Sequence, residues 1–287
     1  MKKYFQFPVD SGQKLKNSFL IKILLIGNGA PRMLAQQGIL TKADGDCVAV
    51  ERPDGSSAVF IICEHASRAL PERFGDLGLS AEALSSHIAW DPGALAVAGK
   101  ISAALDATLI FQRFSRLIYD CNRPPESAGA MPETSEIYTI PGNQRLGEAD
   151  RRARTEGLYI PFHDRIRALL KERAARAQKT VIVTIHSFTP IYNGKQRAVE
   201  LGILHDEDHW LADRMLDAAA QAPLCQTERN QPYGPEDGVT HTLKLHGIAN
   251  GLHNVMIEIR NDLIEDDVSQ GVMADYLTGL LQNSLEA

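Results

Sequence analysis

Four apolar stretches of the chain end in side chains that can bind a metal or hold a charge. Residues 58–62 run into Glu64-His65, and residues 117–119 are followed by Asn122-Arg123. Residues 181–185 stop at His186, and residues 255–259 carry Glu258 and lead into Arg260. Two imidazoles and a carboxylate are a common ligand set for catalytic zinc, with one position left open for water. Water bound there falls in pKa from ~15.7 to ~7, and a separate carboxylate acting as general base contributes ~10²–10⁴ in rate. Glu258 is the most conspicuous of these groups, because a glutamate inside an apolar strand is costly unless it is paired or needed. A guanidinium fixed at a strand end suits a substrate carboxylate, whose two oxygens its planar fork can grip.

Side chains so far apart in the chain meet only if a scaffold delivers them to one edge. Val181, Ile182, Val183 and Ile185 read as a strand buried on both faces, the kind found in a mostly parallel sheet under helices. Such sheets bind ligands at the carboxyl ends of their strands, where His186 stands. Along residues 255–259 the side chains alternate, so Met256, Glu258 and Arg260 share one face while Val255, Ile257 and Ile259 take the other. Further strands are expected at 47–51, 58–62, 108–111, 117–119 and 200–204, and helices at 80–87, 91–105, 147–177, 207–221, 240–250 and 268–281. The expected fold is α/β, a three-layer, mixed but mostly parallel sheet with helices on both faces.

Within these elements, Asp91 before Pro92 has the form of a helix N-cap. Arg151, Arg152, Arg154, Arg165, Arg167, Lys171 and Arg173 read as the solvated side of the 147–177 helix. Val272, Tyr276, Leu277 and Leu280 read as the packed side of the last helix. The Pro-, Gly-, Ser- and Glu-rich residues 126–146 read as an active-site loop.

At 287 residues, with 44% hydrophobic and 23% charged, the chain is an ordinary globular one. Residues 43–287 are expected to form one domain, preceded by an arm or extension at 1–42. A net charge of −6 argues against a nucleic-acid partner. The apolar run at 19–26 is interrupted by Lys22 and is shorter than the ~20 residues of a membrane span. Lysines precede that run, which gives it a faint likeness to a signal peptide, but no small-residue cleavage site follows. Cys47, Cys63, Cys121 and Cys225 form no Cys-x-x-Cys pair and read as small buried hydrophobes in a reducing cytoplasm.

Together CEHAS, HIAWD, SRLIYDCNRP, PGN, IHSFTP, NQPY and EIRNDLI, spread over residues 58 to 283, resemble the N-formylglutamate amidohydrolase family within the zinc carboxypeptidase and aspartoacylase superfamily. The resemblance implies a phosphorylase/hydrolase-like, zinc-exopeptidase-like fold. It also implies one zinc ion and hydrolysis of N-formyl-L-glutamate, or a related N-acyl amino acid, as in histidine degradation. His65 and His186 would be zinc ligands, Asn122 and Arg123 a carboxylate clamp, and Glu258 the base. Arg113 or Arg116 would stabilise the oxyanion, with Arg260, Asn230 and Tyr233 near the substrate. One position departs from the superfamily pattern: Arg68 stands where a glutamate ligand is expected, three residues after His65. Asp91 is the preferred third ligand and Glu64 the other candidate. His87, His163, Ser187 and His246 read equally as pocket lining or as hydrogen-bonded core. The rival readings are hydrolysis of another acyl amino acid or small peptide, and a metal-free carboxylate-binding relative that has lost catalysis. The expected partner is a small molecule, and the expected state a monomer or homodimer.

Overall fold

The β-branched stretch from Val181 forms the middle strand of a seven-stranded sheet in the computed structural model, which describes residues 38–286. Most of residues 1–42 therefore lies outside the described residues. In chain order the elements are β1 (Val48–Glu51), β2 (Val59–Cys63), α1 (Ala81–Ser85), α2 (Ala94–Leu105), β3 (Thr108–Gln112), β4 (Thr134–Ser135) and β5 (Tyr138–Thr139). There follow α3 (Glu148–Arg154), α4 (Ile160–Ala175), β6 (Val181–Phe188), β7 (Ile191–Tyr192), β8 (Lys195–Gln196), β9 (Leu201–Leu204), α5 (Trp210–Gln221), β10 (Thr227–Arg229), β11 (Asn254–Arg260) and α6 (Asp267–Glu286).

The sheet runs β1-β3-β2-β6-β11-β9-β10. Strands β3, β2, β6 and β11 are parallel neighbours. At either side β1 lies antiparallel to β3 and β9 antiparallel to β11, so the sheet is mixed but mostly parallel. The two-residue period of the strands sorts their side chains into two layers. Val59, Ile61, Val183, Ile185, Val255, Ile257 and Ile259 pack with α2, α5 and α6. Phe60, Ile62, Ile110 and Ile182 pack with Phe162, Ile166 and Leu169 of α4 on the other face. Each of these fully buried side chains contributes about 1.5–3 kcal/mol relative to exposure. Helices thus cover both faces, as the apolar runs require.

Four local expectations are corrected by the packing. Residues 117–119 form no strand; they turn, with the Ile118 amide bonded to the Ser115 carbonyl at 3.0 Å. Leu117, Ile118 and Tyr119 are nonetheless buried, because side chains take the place of a strand partner: Asn143 donates to the Leu117 carbonyl at 2.8 Å and Arg154 to that of Ile118 at 3.2 Å. The 147–177 helix is interrupted by a wide turn at Thr155–Tyr159 ahead of Pro161, whose missing N–H and bulky ring disrupt a regular α-helical turn.

Arg154 and Arg173 leave the solvated side altogether and are 3% and 1% exposed. Arg173 braces the start of β2 through the Ser57 carbonyl at 2.6 Å. On α6, Val272 is exposed, and the buried side is Met273, Ala274, Leu277, Leu280 and Leu281. No helix among the described residues is long and apolar enough to cross a membrane.

Candidate metal centre and active site

Register decides which strand-end groups meet. On β6 and β11 His186 stands directly across from Glu258, and Thr184 from Met256, so both functional side chains emerge on the face opposite α2, α5 and α6. Glu64 continues the alternation of Phe60 and Ile62 and arrives on that same face, next to His186. His65 follows one residue later and is joined to the next loop by the Asp91 amide, which donates to the His65 carbonyl at 2.9 Å.

Asp91 does not cap α2. The N-cap is Gly93, at φ 79°, a left-handed backbone where a Cβ would also press on the Ile264 carbonyl oxygen at 2.5 Å. The Asp91 carboxylate is therefore free to turn toward the histidines. Its Oδ2 lies 2.9 Å from His186 Nδ1 and 3.3 Å from His65 Nδ1, and the two Nδ1 atoms are 3.2 Å apart. His65, Asp91 and His186 are all buried, with ligand atoms within 4.8 Å of one another, an arrangement that could hold a metal ion.

The far side of each imidazole is held by a second carboxylate. His65 Nε2 meets Asp120 Oδ1 at 2.7 Å, and His186 Nε2 faces Glu64 Oε2 at 3.1 Å, out of line for a strong hydrogen bond. With the ring protons directed to Asp120 and Glu64, both Nδ1 lone pairs and the Asp91 oxygen point at one spot. Three electron-rich atoms buried that close need a proton or a cation between them.

The charge balance says the same. Glu64, Asp91, Asp120 and Glu258 are all 5% exposed or less, and Arg116 is the fixed cation that pairs with two of them, Asp91 at 3.3 Å and Asp120 at 2.6 Å. Burial alone would lower both imidazoles, and Arg116 lowers His65 further. Asp120 and Asp91 nevertheless raise His65, while Glu64 and Asp91 hold His186 well above the usual range. A divalent cation answers that pull, so the donor set fits one.

Glu258 differs from the other acids. Burial pushes its carboxyl up to about 7, and its Oε2 has no hydrogen-bond partner among the described residues. It faces a cavity of about 360 Å³ that His65, Asp91, His186, Arg116, Asn122, Arg123 and Tyr233 also line. A carboxylate poised near neutral pH at a cavity wall is suited to take and return a proton.

Other expected site residues sit differently. Arg113 is away from the cavity, bonded to the backbone carbonyl of Asp46 and tying the turn before β1 to β3. Arg260 spends its guanidinium on Asp262 at 2.8 Å and Glu200 at 3.1 Å. Asn230 accepts the His205 amide at 2.9 Å and does not line the cavity. Both ends of the Asn122 amide are engaged, with the Val239 carbonyl at 2.6 Å and the Thr242 amide at 3.0 Å, so it shapes the wall. Arg123 lines the cavity and gives Nη1 to the carbonyls of Asn122 and Gly238.

Glu64 lies behind His186 rather than beside Asp91. Arg68 stacks on Trp90, and it is Asp91 that lies with His65 and His186 in the group that could hold a metal ion. His163 and His246 are buried and bonded to each other at 2.8 Å, and His163 also meets the Cys121 carbonyl beside Asp120. His87 and Ser187 line the cavity. Asp120 itself escaped the sequence reading; the signal was a carboxylate between an apolar run and Asn122-Arg123.

A mixed α/β sheet that gathers imidazoles, carboxylates and a partly buried arginine into one cavity at its carboxyl edge is suited to hydrolytic chemistry. More narrowly, residues 57–265 match the model of the family described as N-formylglutamate amidohydrolase, and the chain belongs to that family. It is therefore an enzyme that hydrolyses an amide. The crystal structure of gene product Atu2144 from Agrobacterium tumefaciens is 57% identical, with a TM-score of 0.85, and the match covers 86% of this chain and 98% of that one. The N-formylglutamate amidohydrolase from Ralstonia eutropha JMP134 is 18% identical, with a TM-score of 0.59 over 83% of this chain and 97% of that one, a likeness of fold. Among curated proteins none matches.

If Asp120 orients His65 for a metal, Asp120→Asn should weaken metal affinity about 10–100-fold while the protein stays folded. Competition with a chelator of known affinity measures this. An unchanged affinity would make Asp120 a partner of Arg116 only.

Proposed function

We propose that this chain hydrolyses N-formyl-L-glutamate, or a closely related N-acyl amino acid, with one zinc ion held by His65, Asp91 and His186. The observation that carries the reading is the convergence of those three Nδ1 and Oδ2 atoms beside Glu258, in a chain of this family. Zinc in such a position polarises the amide carbonyl and acidifies water.

The chain's own residues then have separable tasks. Glu258, its carboxyl near 7, accepts a proton from the attacking water and returns it to the leaving amine. Arg116 lines the cavity with its guanidinium locked by Asp91 and Asp120, and it is placed to stabilise negative charge developing on the carbonyl oxygen. Asp120 and Glu64 hold the imidazoles so that Nδ1 faces the ligand position. Arg123 keeps its Nε–Nη2 edge for a substrate carboxylate, since only Nη1 is taken by backbone. Four unpaired thiols suit a reducing cytoplasm. The place of Asp91 weighs against a metal-free relative, because it fills the role that Arg68 leaves open.

Arg123→Lys tests the substrate class. Lysine keeps the charge but loses the fork, at the cost of part of a charge-assisted bond of ~1.5–3 kcal/mol, so kcat/KM for N-formyl-L-glutamate should fall several-fold. The corresponding α-amide offers no carboxylate, and its slower hydrolysis should hardly change. Equal losses on both would make Arg123 a support of the 238–239 turn and remove the carboxylate clamp.

A further inference from the structure

The segment after β6 brings a further arginine against the aromatic side of the cavity wall. Arg197 follows the β7–β8 hairpin, and its guanidinium carbon lies 4.6 Å from the ring centre of Tyr192, 4.8 Å from that of Tyr233 and 5.5 Å from that of Phe188. All three rings line the cavity, and they come from three segments: the end of β6, the hairpin, and the loop after β10. Aromatic contacts engage the faces of a guanidinium and leave its in-plane N–H groups as donors. Those donors are barely used. The side chain makes a long hydrogen bond, 3.4 Å from Nη1 to the Thr189 carbonyl, meets the Tyr233 hydroxyl, and has no ion-pair partner among the described residues. Arg116 and Arg260, by contrast, each hold two carboxylates.

Arg123 is likewise without a carboxylate partner among the described residues, and it lines the same cavity. Arg123 thus lines the cavity and Arg197 stands against three of its lining rings, and neither has an ion-pair partner among the described residues. Rings that exclude water from the faces of a guanidinium strengthen what its edge can do for an anion. A substrate with two carboxylates would match two such cations.

We propose that Arg197 is the specificity-determining residue of this enzyme. It recognises the side-chain carboxylate of an N-acyl dicarboxylic amino acid while Arg123 takes the α-carboxylate. This rests on the reading that the cavity accepts an N-acyl amino acid. Tyr192, Tyr233 and Phe188 hold the guanidinium in place and cover the aliphatic part of the substrate side chain. The selectivity for glutamate over its neutral isostere glutamine then resides in one side chain.

The test compares kcat/KM of the metal-loaded full chain on N-formyl-L-glutamate and N-formyl-L-glutamine, for wild type, Arg197→Gln and Arg197→Lys. Wild type should prefer glutamate. Arg197→Gln should lose about tenfold or more on glutamate, the worth of a charge-assisted bond, and less than about threefold on glutamine, so that the preference collapses. Arg197→Lys should recover part of the preference. If both substrates fall by one factor, Arg197 only supports the rings and the proposal is overturned; no change on either overturns it too. A wild type that turns over neither substrate overturns the underlying substrate reading and this one with it. Failure of this inference alone shows only in the variants.

Discussion

Replacing His186 with alanine should remove bound metal and amide hydrolysis together. In the proposed site the ring would contribute one of three ligand atoms, and its loss would leave only Asp91 and His65, too few for a stable catalytic site. The charge stabilisation a metal supplies to such a reaction is several kcal/mol, so turnover should fall ~10³-fold or more. The fold should survive, because the core below is built by Ile182, Val183 and Ile185. Some stability goes as well, since Glu64 is buried with His186 as its nearest cationic neighbour, and removing one partner of a buried pair costs about 3–5 kcal/mol. His186→Asn keeps a polar group beside Glu64 and should lose metal at a smaller thermal penalty. Metal analysis and a melting curve on both variants read out the two effects. Full metal occupancy in His186→Ala would take His186 out of the ligand set.

Glu258→Gln should lower kcat by ~10²–10⁴ with metal content unchanged, because glutamine keeps the shape and burial of the side chain but cannot carry the proton. The same substitution makes a second prediction with an explicit sign. Burial raises the Glu258 carboxyl from an ordinary 4.5 to about 7. Between these values the unfolded chain has released a proton that the folded chain keeps, so stability is lost as pH rises from the lower value through the upper. In metal-stripped protein above that window, Glu258→Gln should therefore be more stable than wild type by about 3 kcal/mol, the free energy of roughly 2.5 pH units. Activity lost and stability gained is the signature of a group kept for its chemistry. A variant retaining more than a tenth of wild-type turnover would end the role of Glu258 as base. Lost metal would make Glu258 a ligand instead.

Much of this was legible in the chain because period and cost are local. A run of β-branched residues ending at His186, and a glutamate on the alternate positions of residues 255–259, point to a sheet edge and a charged face without knowledge of contacts. The structure puts the two directly across from each other on neighbouring strands. What was not legible depends on partners distant in sequence. Residues 117–119 look like a strand, and only Asn143 and Arg154 allow them to turn while buried. That misreading hid Asp120, which the turn delivers to His65.

Arg113 and Arg116 are alike in sequence, three positions apart around a turn, yet one braces β1 and the other enters the cavity. Asp91 could be read as cap or ligand until Gly93 proved to hold the helix start. Strand β10 has three polar or half-exposed residues and no apolar period to announce it. Arg197 carries no local signal, since its significance is three rings from three segments.

Metal dependence at one site per chain is read most directly by removing and restoring the ion. Protein stripped with a chelator and dialysed should release no formate from N-formyl-L-glutamate. Titration with zinc should then restore turnover in a straight line that breaks at one equivalent per chain. Full turnover by the stripped protein, or a break at another stoichiometry, would contradict a single ion held by His65, Asp91 and His186.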